Sequence, residues 1–281
     1  MRWVRRLAGG RRPLVLDAQR SAVHVEGDEH IRSASSSGRV AIVAHWAPDA
    51  RVSRSAAELT RSLAGHDYRV IVVSTATGSG PLDWEGGRPP ELTVLRRPNL
   101  GYDFGSWATA IDRYPAIAGC AQVLMVNDSL LGPFGPIGHL LDHFDRSAAD
   151  VWGLTDTTQF YHHLQSYCLG FKHRSLLEPP LARFWQNIRI EASRDDVIWR
   201  NEIGLGQLLD RERFVTEAAI PHWRVVKDGQ NPTILGWRKL LDQDYPFVKR
   251  QLVQQPHIAP DGAHVPAEIH RRFGAQVSEW M

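Results

Sequence analysis

Short apolar runs, each closed by a polar or Gly/Pro-containing stretch, recur along the first half of the chain and set its rhythm. Val40–Trp46 (VAIVAHW), Tyr68–Ser74 (YRVIVVS), Leu92–Leu95 and Val123–Asp128 (VLMVND) are too short for helices, and they predict strands. The unbroken apolar stretch Val123–Val126 predicts burial on both faces of a sheet. Between the strands, Ser55–Leu63 places Ala56, Leu59 and Leu63 on one helical face. Trp107–Tyr114 reads as a second helix, resuming after a break at Gly101–Gly105. Strand and helix alternating in this way is the pattern of a parallel sheet with crossover helices, so the fold class is α/β.

Beyond the central strand, Leu130–Gly138 (LLGPFGPIG) is a Pro/Gly-rich loop that leads into a helix at His139–Phe144. Asp150–Thr155 and Leu164–Phe171 alternate well enough for two more strands. They enclose TDTTQFYHH, a polar and aromatic loop of the kind that lines a substrate cleft. The last hundred or so residues read mainly as helix, with Leu181–Ile188 first and then Val197–Leu209, into which Asn201 and Glu202 are set. A turn, a helix and a docking segment follow over Asn231–Leu241 and Tyr245–Val253. The organisation expected is a basic arm and Ser-rich linker at 1–38, one domain at 39–253 and a tail at 254–281.

Composition narrows the picture in three places. A formal charge of +2 over 281 residues gives no reason to expect nucleic acid as a partner. Yet Arg2, Arg5, Arg6, Arg11, Arg12 and Trp3 lie within the first twelve residues with no acid among them. That arm suits either solvent or an anionic membrane surface, where each cation near the lipid contributes about 1 kcal/mol. No apolar run nears a membrane span and no signal-peptide core follows the basic start, so the expected location is the cytoplasm, with peripheral contact at the inner face of the membrane. Cys120 and Cys168 form no CxxC and read as small buried hydrophobes in a reducing compartment.

The candidate chemistry gathers where the central strand ends, at Asn127, Asp128 and Ser129. In an open α/β sheet the ligand crevice lies beyond the carboxyl ends of the strands. A carboxylate there, beside an amide and a hydroxyl, can hold Mg2+ or Mn2+ through hard oxygen ligands and so reach a diphosphate; the plainer alternative is an acid capping the next loop. Asp103 or Ser106 could cap the following helix, whose N-terminal amides could equally take an anion. His139 and His143 have i, i+4 spacing, but HLLDH lacks the acid of HExxH and has no evident third ligand. Lys172 and Lys249 read as solvated cations in preference to diphosphate contacts. The absence of GxxxxGK(S/T), of GxGxxG after a strand and of GxSxG argues against NTPase, dinucleotide-oxidoreductase and α/β-hydrolase chemistry.

Taken in order, RPNLGYDFGSW, VLMVNDSLLGPF, DVWGLTD, HLQSYCLGFK, NEIGLGQLL, NPTILGW and PFVKRQL resemble the rhamnan synthesis protein F family over about residues 40–253. The resemblance implies an A-type glycosyltransferase-like fold, with a mostly parallel central sheet flanked by helices and a helical C-terminal part. It further implies sugar transfer from a nucleotide-sugar donor, dTDP-rhamnose favoured, to a cell-wall polysaccharide or lipid-linked acceptor. By the same resemblance His45 and Trp46 face the donor nucleotide, while Asn99, Gly101 and Asp103 lie where a glycine-containing turn holds it. Asn127 and Asp128 then stand at the metal- or diphosphate-contacting position, with Asp128 the metal ligand. The chain departs from the usual paired aspartates, having Asn127, Asp128 and Ser129 with one carboxylate, so diphosphate binding with and without a cation are both open.

Such a transfer passes through an oxocarbenium-like state, and if inverting it needs a base within about 3 Å of the acceptor hydroxyl. Glu202, among apolar neighbours, is the first candidate, with burial expected to raise its pKa; Asp156, after a strand end, is the second. Tyr161, His162 and Gln165 are candidates for holding the acceptor sugar. The reading from another class is a non-catalytic carbohydrate-binding or assembly subunit that keeps the fold.

Overall fold

A computed structural model describes residues 12–32, 37–78 and 80–281, without the side chains of Glu29 and His30. Nine strands form the central sheet: β1 His24–Glu26, β2 Arg39–His45, β3 Tyr68–Ser74, β4 Thr93–Arg96, β5 Gln122–Asn127, β6 Val151–Thr157, β7 His163–Leu164, β8 Cys168–Lys172 and β9 Thr216–Ile220. Their order is β1-β4-β3-β2-β5-β8-β6-β7, with β9 also paired to β6. The strands β4, β3, β2 and β5 are mutually parallel, β8 runs antiparallel between β5 and β6, and β9 is parallel to β6. The sheet is therefore mostly parallel, as the alternation of elements predicts.

β2 lies at the centre, flanked by β3 and β5, and its Val40, Ala41, Ile42 and Val43 are wholly buried. Alternate residues point to opposite faces. Ala41 and Val43 join a core beneath helices α1 (Arg54–Ala64) and α3 (Gly138–Arg146), whereas Val40, Ile42 and Ala44 join one beneath α2 (Tyr102–Arg113), α4 (Pro179–Gln186) and α5 (Ile203–Arg211). Phe104, Trp107 and Trp185 interlock in the second core at ring separations of 5.2–6.3 Å. Burial on both faces is why these strands read as continuous apolar runs.

Several boundaries differ from the sequence expectation, each for a packing reason. α2 starts at Tyr102 and passes through Gly105. Gly101 opens it with φ +75°, and a Cβ there would lie 2.5 Å from Val15 Cγ2; one on Gly105 would strike the carbonyl of Leu100. These glycines allow close approach inside a helix where their spacing suggested a break. Val197–Leu209 contains a π-helical turn at Ile198–Glu202 ahead of α5, and the expected strand Leu164–Phe171 divides into β7 and β8. β1 and β9 carry no strong apolar signal in sequence and are edge additions recruited by pairing.

The outer boundaries at 38 and 253 also move. Val15 is fully buried, its N–H donating to the Ile188 carbonyl at 2.9 Å, and β1 extends the sheet, so the fold begins well before residue 39. The segment expected to be a tail forms α6 (Val265–Phe273) and a closing turn at Val277–Trp280. Val265, Ile269 and Val277 complete a third core with Leu131, Trp237 and Leu252, and Trp280 packs 4.9 Å from Phe134 beneath the Arg54 guanidinium. Residues 1–11, including Arg2, Arg5, Arg6, Arg11 and Trp3, lie outside the described residues; Arg12 pairs with Glu191. Both cysteines are buried thiols, as expected. Lys172 is not a solvated cation: its Nζ donates to the carbonyls of Phe144, Asp145 and Ser147 at 3.1, 2.9 and 2.5 Å, satisfying the free end of α3. Among the described residues no helix is long and apolar enough to cross a membrane.

The C-terminal segment is thus part of the cooperative core. Ile269→Ala is expected to lower the unfolding free energy by about 2–5 kcal/mol in urea denaturation, the range for a buried large-to-small change. A loss below about 0.5 kcal/mol would mean that the segment does not contribute to the folded core.

Candidate active site

The carboxyl ends of β2 and β5 and the start of α2 meet at one turn. Asn127, the last residue of β5, organises it: Nδ2 donates to Asp103 Oδ2 at 2.7 Å, while Oδ1 accepts from Ser129 N at 3.1 Å and Ser129 Oγ at 2.5 Å. Asp128 follows, with its N–H donating to the Ala44 carbonyl at 3.2 Å and its Oδ2 accepting from Trp46 N at 2.8 Å. Two cations close on this turn from the C-terminal part. The short strand Val248–Lys249 pairs with Leu130–Leu131, which brings Lys249 Nζ to 3.3 Å from Ser129 Oγ and Arg250 Nε to 3.3 Å from the Asp128 carbonyl.

The turn stands between two cavities. One, of about 360 Å³, is lined by Asp103, Asn127, His163, Gln165, Glu202 and Lys249 among others; the second, of about 410 Å³, has His45, Trp46, Arg51, Asp128 and Arg250 in its wall. Ser129 lines both. Half of the Trp46 surface is exposed, so the second cavity has an aromatic face as well as cationic groups.

Electrostatics distinguish the acids. Burial pushes the Asp128 carboxyl up to about 6, against the opposing Trp46 N–H and Arg250. Asp103 is pushed up to about 6 by burial and then by the Asp128 charge, with the Asn127 hydrogen bond, Lys249 and Arg194 opposing. Burial, with Arg250 and Arg96, takes His45 down to about 4, so its imidazole is neutral at ordinary pH, and its Nδ1 sits 3.1 Å from Ser74 Oγ. Burial lowers Lys249, while Glu202 and Asp103 oppose, leaving it below the usual lysine range.

Glu202 ends the π-helical turn and faces β7. His163 Nε2 lies 3.2 Å from its Oε1, and Ser166 Oγ donates to Oε2 at 2.6 Å. α5 reaches this close because Gly206 has no Cβ; one there would lie 2.6 Å from His163 Cβ. Burial raises the Glu202 pKa, but the His163 and Ser166 hydrogen bonds and the His163 charge outweigh it, and the net shift is downward. The expectation of a raised pKa is overturned, because the His163 and Ser166 donors, which come from another part of the chain, more than offset the burial read from the apolar neighbours. His163 shifts upward: burial alone would lower it, but the bond to Glu202 prevails, and its Nδ1 faces the Tyr161 carbonyl at 2.8 Å. An acceptor at each ring nitrogen favours the imidazolium form of His163, which sits against the Glu202 carboxylate in the cavity wall.

The structure brings together His45, Trp46, Asp103, Asn127, Asp128, Gln165 and Glu202 around the two cavities, but Asn99, Gly101, Asp156, Tyr161 and His162 line neither. Asn99 is exposed, and Gly101 lies behind α2 against Val15. Tyr161 donates to Asp210. Asp156 lies between Thr155 and Thr157 and by alternation faces away from the cleft that Thr157 lines. Its Oδ1 accepts from His222 N at 2.5 Å and faces His222 Nδ1 at 3.0 Å, and its Oδ2 faces His162 Nε2 at 2.8 Å. Sequence reasoning missed His163, Ser166 and Arg250 and took Lys249 for a solvated cation. The adjacent cations in PFVKRQL, following an apolar docking segment, were the available signal.

An α/β sheet with a polar cleft at the carboxyl ends of its parallel strands, carrying acids and cations around one turn, defines the class of a ligand-binding or group-transfer protein. The model for "Rhamnan synthesis protein F" matches residues 91–272, and the chain belongs to that family, which ties it to polysaccharide synthesis. It is also similar to the virulence protein VirA of Vibrio anguillarum, 26% identical over 226 residues that cover 68% of this chain and 71% of VirA. Uncharacterized protein y4gN of Sinorhizobium fredii is 25% identical over 154 residues, 53% of this chain and 40% of that one.

The raised Asp103 pKa has a measurable consequence. A carboxyl with a folded-state pKa above its unfolded value stabilises the protein fully below the unfolded value, and that contribution is lost as pH rises through the folded one. Asp103→Asn is therefore expected to gain stability relative to the parent between about pH 4 and pH 7, on the order of 1–2 kcal/mol, in paired denaturation curves. A difference independent of pH would show that burial and Asp128 do not act on this group as described.

Proposed function

We propose that this chain is an inverting glycosyltransferase that moves a sugar, rhamnose favoured, from a nucleotide-diphosphate donor to a cell-wall polysaccharide or lipid-linked acceptor. The observation that carries this reading is the Asn127–Ser129 turn, with Lys249 and Arg250 closed on it, between a cavity walled by Trp46 and one walled by Glu202. The first cavity suits a nucleoside, with the Trp46 indole available to stack on a base and Arg51 and Arg250 to attract phosphates. The second suits the donor sugar and acceptor, with Asp103, Gln165 and Glu202 offering polar contacts. The preference for rhamnose rests on the family's description alone.

Cleaving the glycosidic bond places negative charge on the departing diphosphate, and fixed cations there stabilise the transition state more than the ground state. Lys249 and Arg250 supply that charge, while Ser129 Oγ and Asn127 fix the turn that presents it. A hard divalent ion would be held on the side of the turn where Asp128 and Ser129 line one cavity, their oxygens serving as ligands to Mg2+ or Mn2+, which would act as a Lewis acid on the diphosphate. Glu202, kept ionised by His163 and Ser166, takes the acceptor proton, and His163 holds its orientation. The arginine-rich arm contributes peripheral contact with the anionic inner membrane surface.

Donor binding is tested by thermal shift with dTDP-, UDP- and GDP-sugars, with and without Mn2+. A ligand at one hundred times its dissociation constant should add about 2.7 kcal/mol. Lys249→Ala should weaken the donor about tenfold, while Glu202→Gln should keep donor binding and slow transfer by roughly 10²–10⁴-fold. Wild-type transfer by Glu202→Gln would remove Glu202 as the base, and glycan binding with no response to any nucleotide sugar would replace the enzyme reading with a binding subunit. Removing residues 1–12 should release the protein from anionic vesicles in a sedimentation assay; unchanged retention would rule out the arm as the anchor.

A further inference from the structure

Away from the cleft, three side chains converge: Asp156 at the end of β6, His162 in the loop after it, and His222 from more distant sequence just beyond β9. One ligand atom from each lies within 4.8 Å of the others. We propose that they form a binding site for a zinc-class divalent metal ion, separate from the Asp128 turn.

The arrangement fits on three counts. Two imidazoles and a carboxylate are the donors that borderline transition ions prefer, whereas Mg2+ and Ca2+ require a shell of oxygens. His162 Nε2 and His222 Nδ1 already approach the Asp156 oxygens at 2.8 and 3.0 Å, and tetrahedral zinc with bonds near 2.0–2.1 Å needs neighbouring donors about 3.3 Å apart. Small rotations suffice, and His162, with half of its side chain exposed, is free to make them and leaves an entry path. The third count is the surroundings of the ligands. His222 Nε2 lies 3.0 Å from Asp228 Oδ1, the carboxylate partner that fixes a ligating histidine with its other nitrogen toward the metal, and Asp156 is oriented by the His222 backbone N–H.

The ion's role follows from what the site joins. The loop carrying His162 also carries Gln159 and Phe160, which wall the 360 Å³ cavity, and the segment after His222 leads to Asn231 in the same wall. Phe160 extends its ring to the surface, where it packs 5.0 Å from Trp199. A metal at Asp156, His162 and His222 clips this loop to the sheet, so the cavity mouth is held from behind by an ion that does not touch the cleft. Neither the ion nor the clip depends on the transferase reading.

The test uses tag-free full-length protein, freed of metal with a chelator and then titrated with ZnCl2, CoCl2 and MgCl2. Expected are saturable uptake of one Zn2+, a rise in unfolding temperature, a visible d–d absorption with Co2+ that marks nitrogen and oxygen ligation, and no response to Mg2+ at this site. His162→Ala should weaken Zn2+ at least tenfold. Asp228→Asn, at an exposed position that tolerates change, should weaken it by about 10-fold or more as an outer partner. His139→Ala, in the i, i+4 pair on α3, should bind as the parent does. No saturable uptake, or uptake unchanged in both His162→Ala and His222→Gln, would overturn the proposal. Loss in His139→Ala with retention in His162→Ala would move the metal to α3.

Discussion

The Asn127 side-chain amide is the interaction on which the cleft depends. It is nearly buried at the end of a central parallel strand, where each polar atom must find a partner, and it uses both ends: the NH2 toward Asp103 at the start of α2, the oxygen toward Ser129. One residue thereby couples a strand end, a helix start and the turn between the two cavities. An aspartate in its place would lack the donor for Asp103 and would put a third carboxyl beside two whose pKa values are already raised. The departure from a paired-aspartate motif thus has a structural account: the amide takes the second position because it can donate.

Charge in the cleft is arranged in opposed pairs. Glu202 and His163 each favour the other's charged form, which opposes the desolvation of a carboxylate in a partly buried wall. Lys249 lies within the influence of both Glu202 and Asp103, and Arg250 reaches the backbone of Asp128. Neither cation belongs to the sheet; Lys249 ends a two-residue strand that docks against Leu130–Leu131, downstream of β5, and Arg250 opens the helix that follows it. The C-terminal part is therefore an integral wall of the cleft, and its own core, built on Leu131, Trp237, Ile269 and Val277, sets the position of those cations.

Much of the fold was legible in sequence because burial on both faces of β2, β3 and β5 leaves an unbroken apolar run, too short for a helix and closed by polar residues. Tyr68–Ser74 has the same limits in sequence and in structure, and α1 and α3 differ from expectation by only one or two residues at their ends. β1, β9 and α6 were not legible: their strands are short or weakly apolar, and α6 is stabilised by contacts with residues far away in the chain. Of the site, Asn127 and Asp128 could be placed from the position of the strand end, whereas His45 and Trp46 were implied by the family resemblance. Asp156 looked equivalent by the same rule, but strand alternation turned it to the opposite face, among histidines.

What the sequence determined by itself is the layered α/β class, the central strand and the acid at its end, because those follow from local periodicity and a sharp change from apolar to polar residues. Tertiary structure alone decided which acid is ionised beside a histidine, which lysine is drawn from solvent, and which three residues of the Asp156 cluster meet. The physical reason is that pKa values and ligand sets are fixed by groups a few ångströms apart in space, and the decisive partners here are far apart along the chain: 24 residues for Asn127 and Asp103, 39 for Glu202 and His163, 66 for Asp156 and His222, and 122 for Arg250 and Asp128.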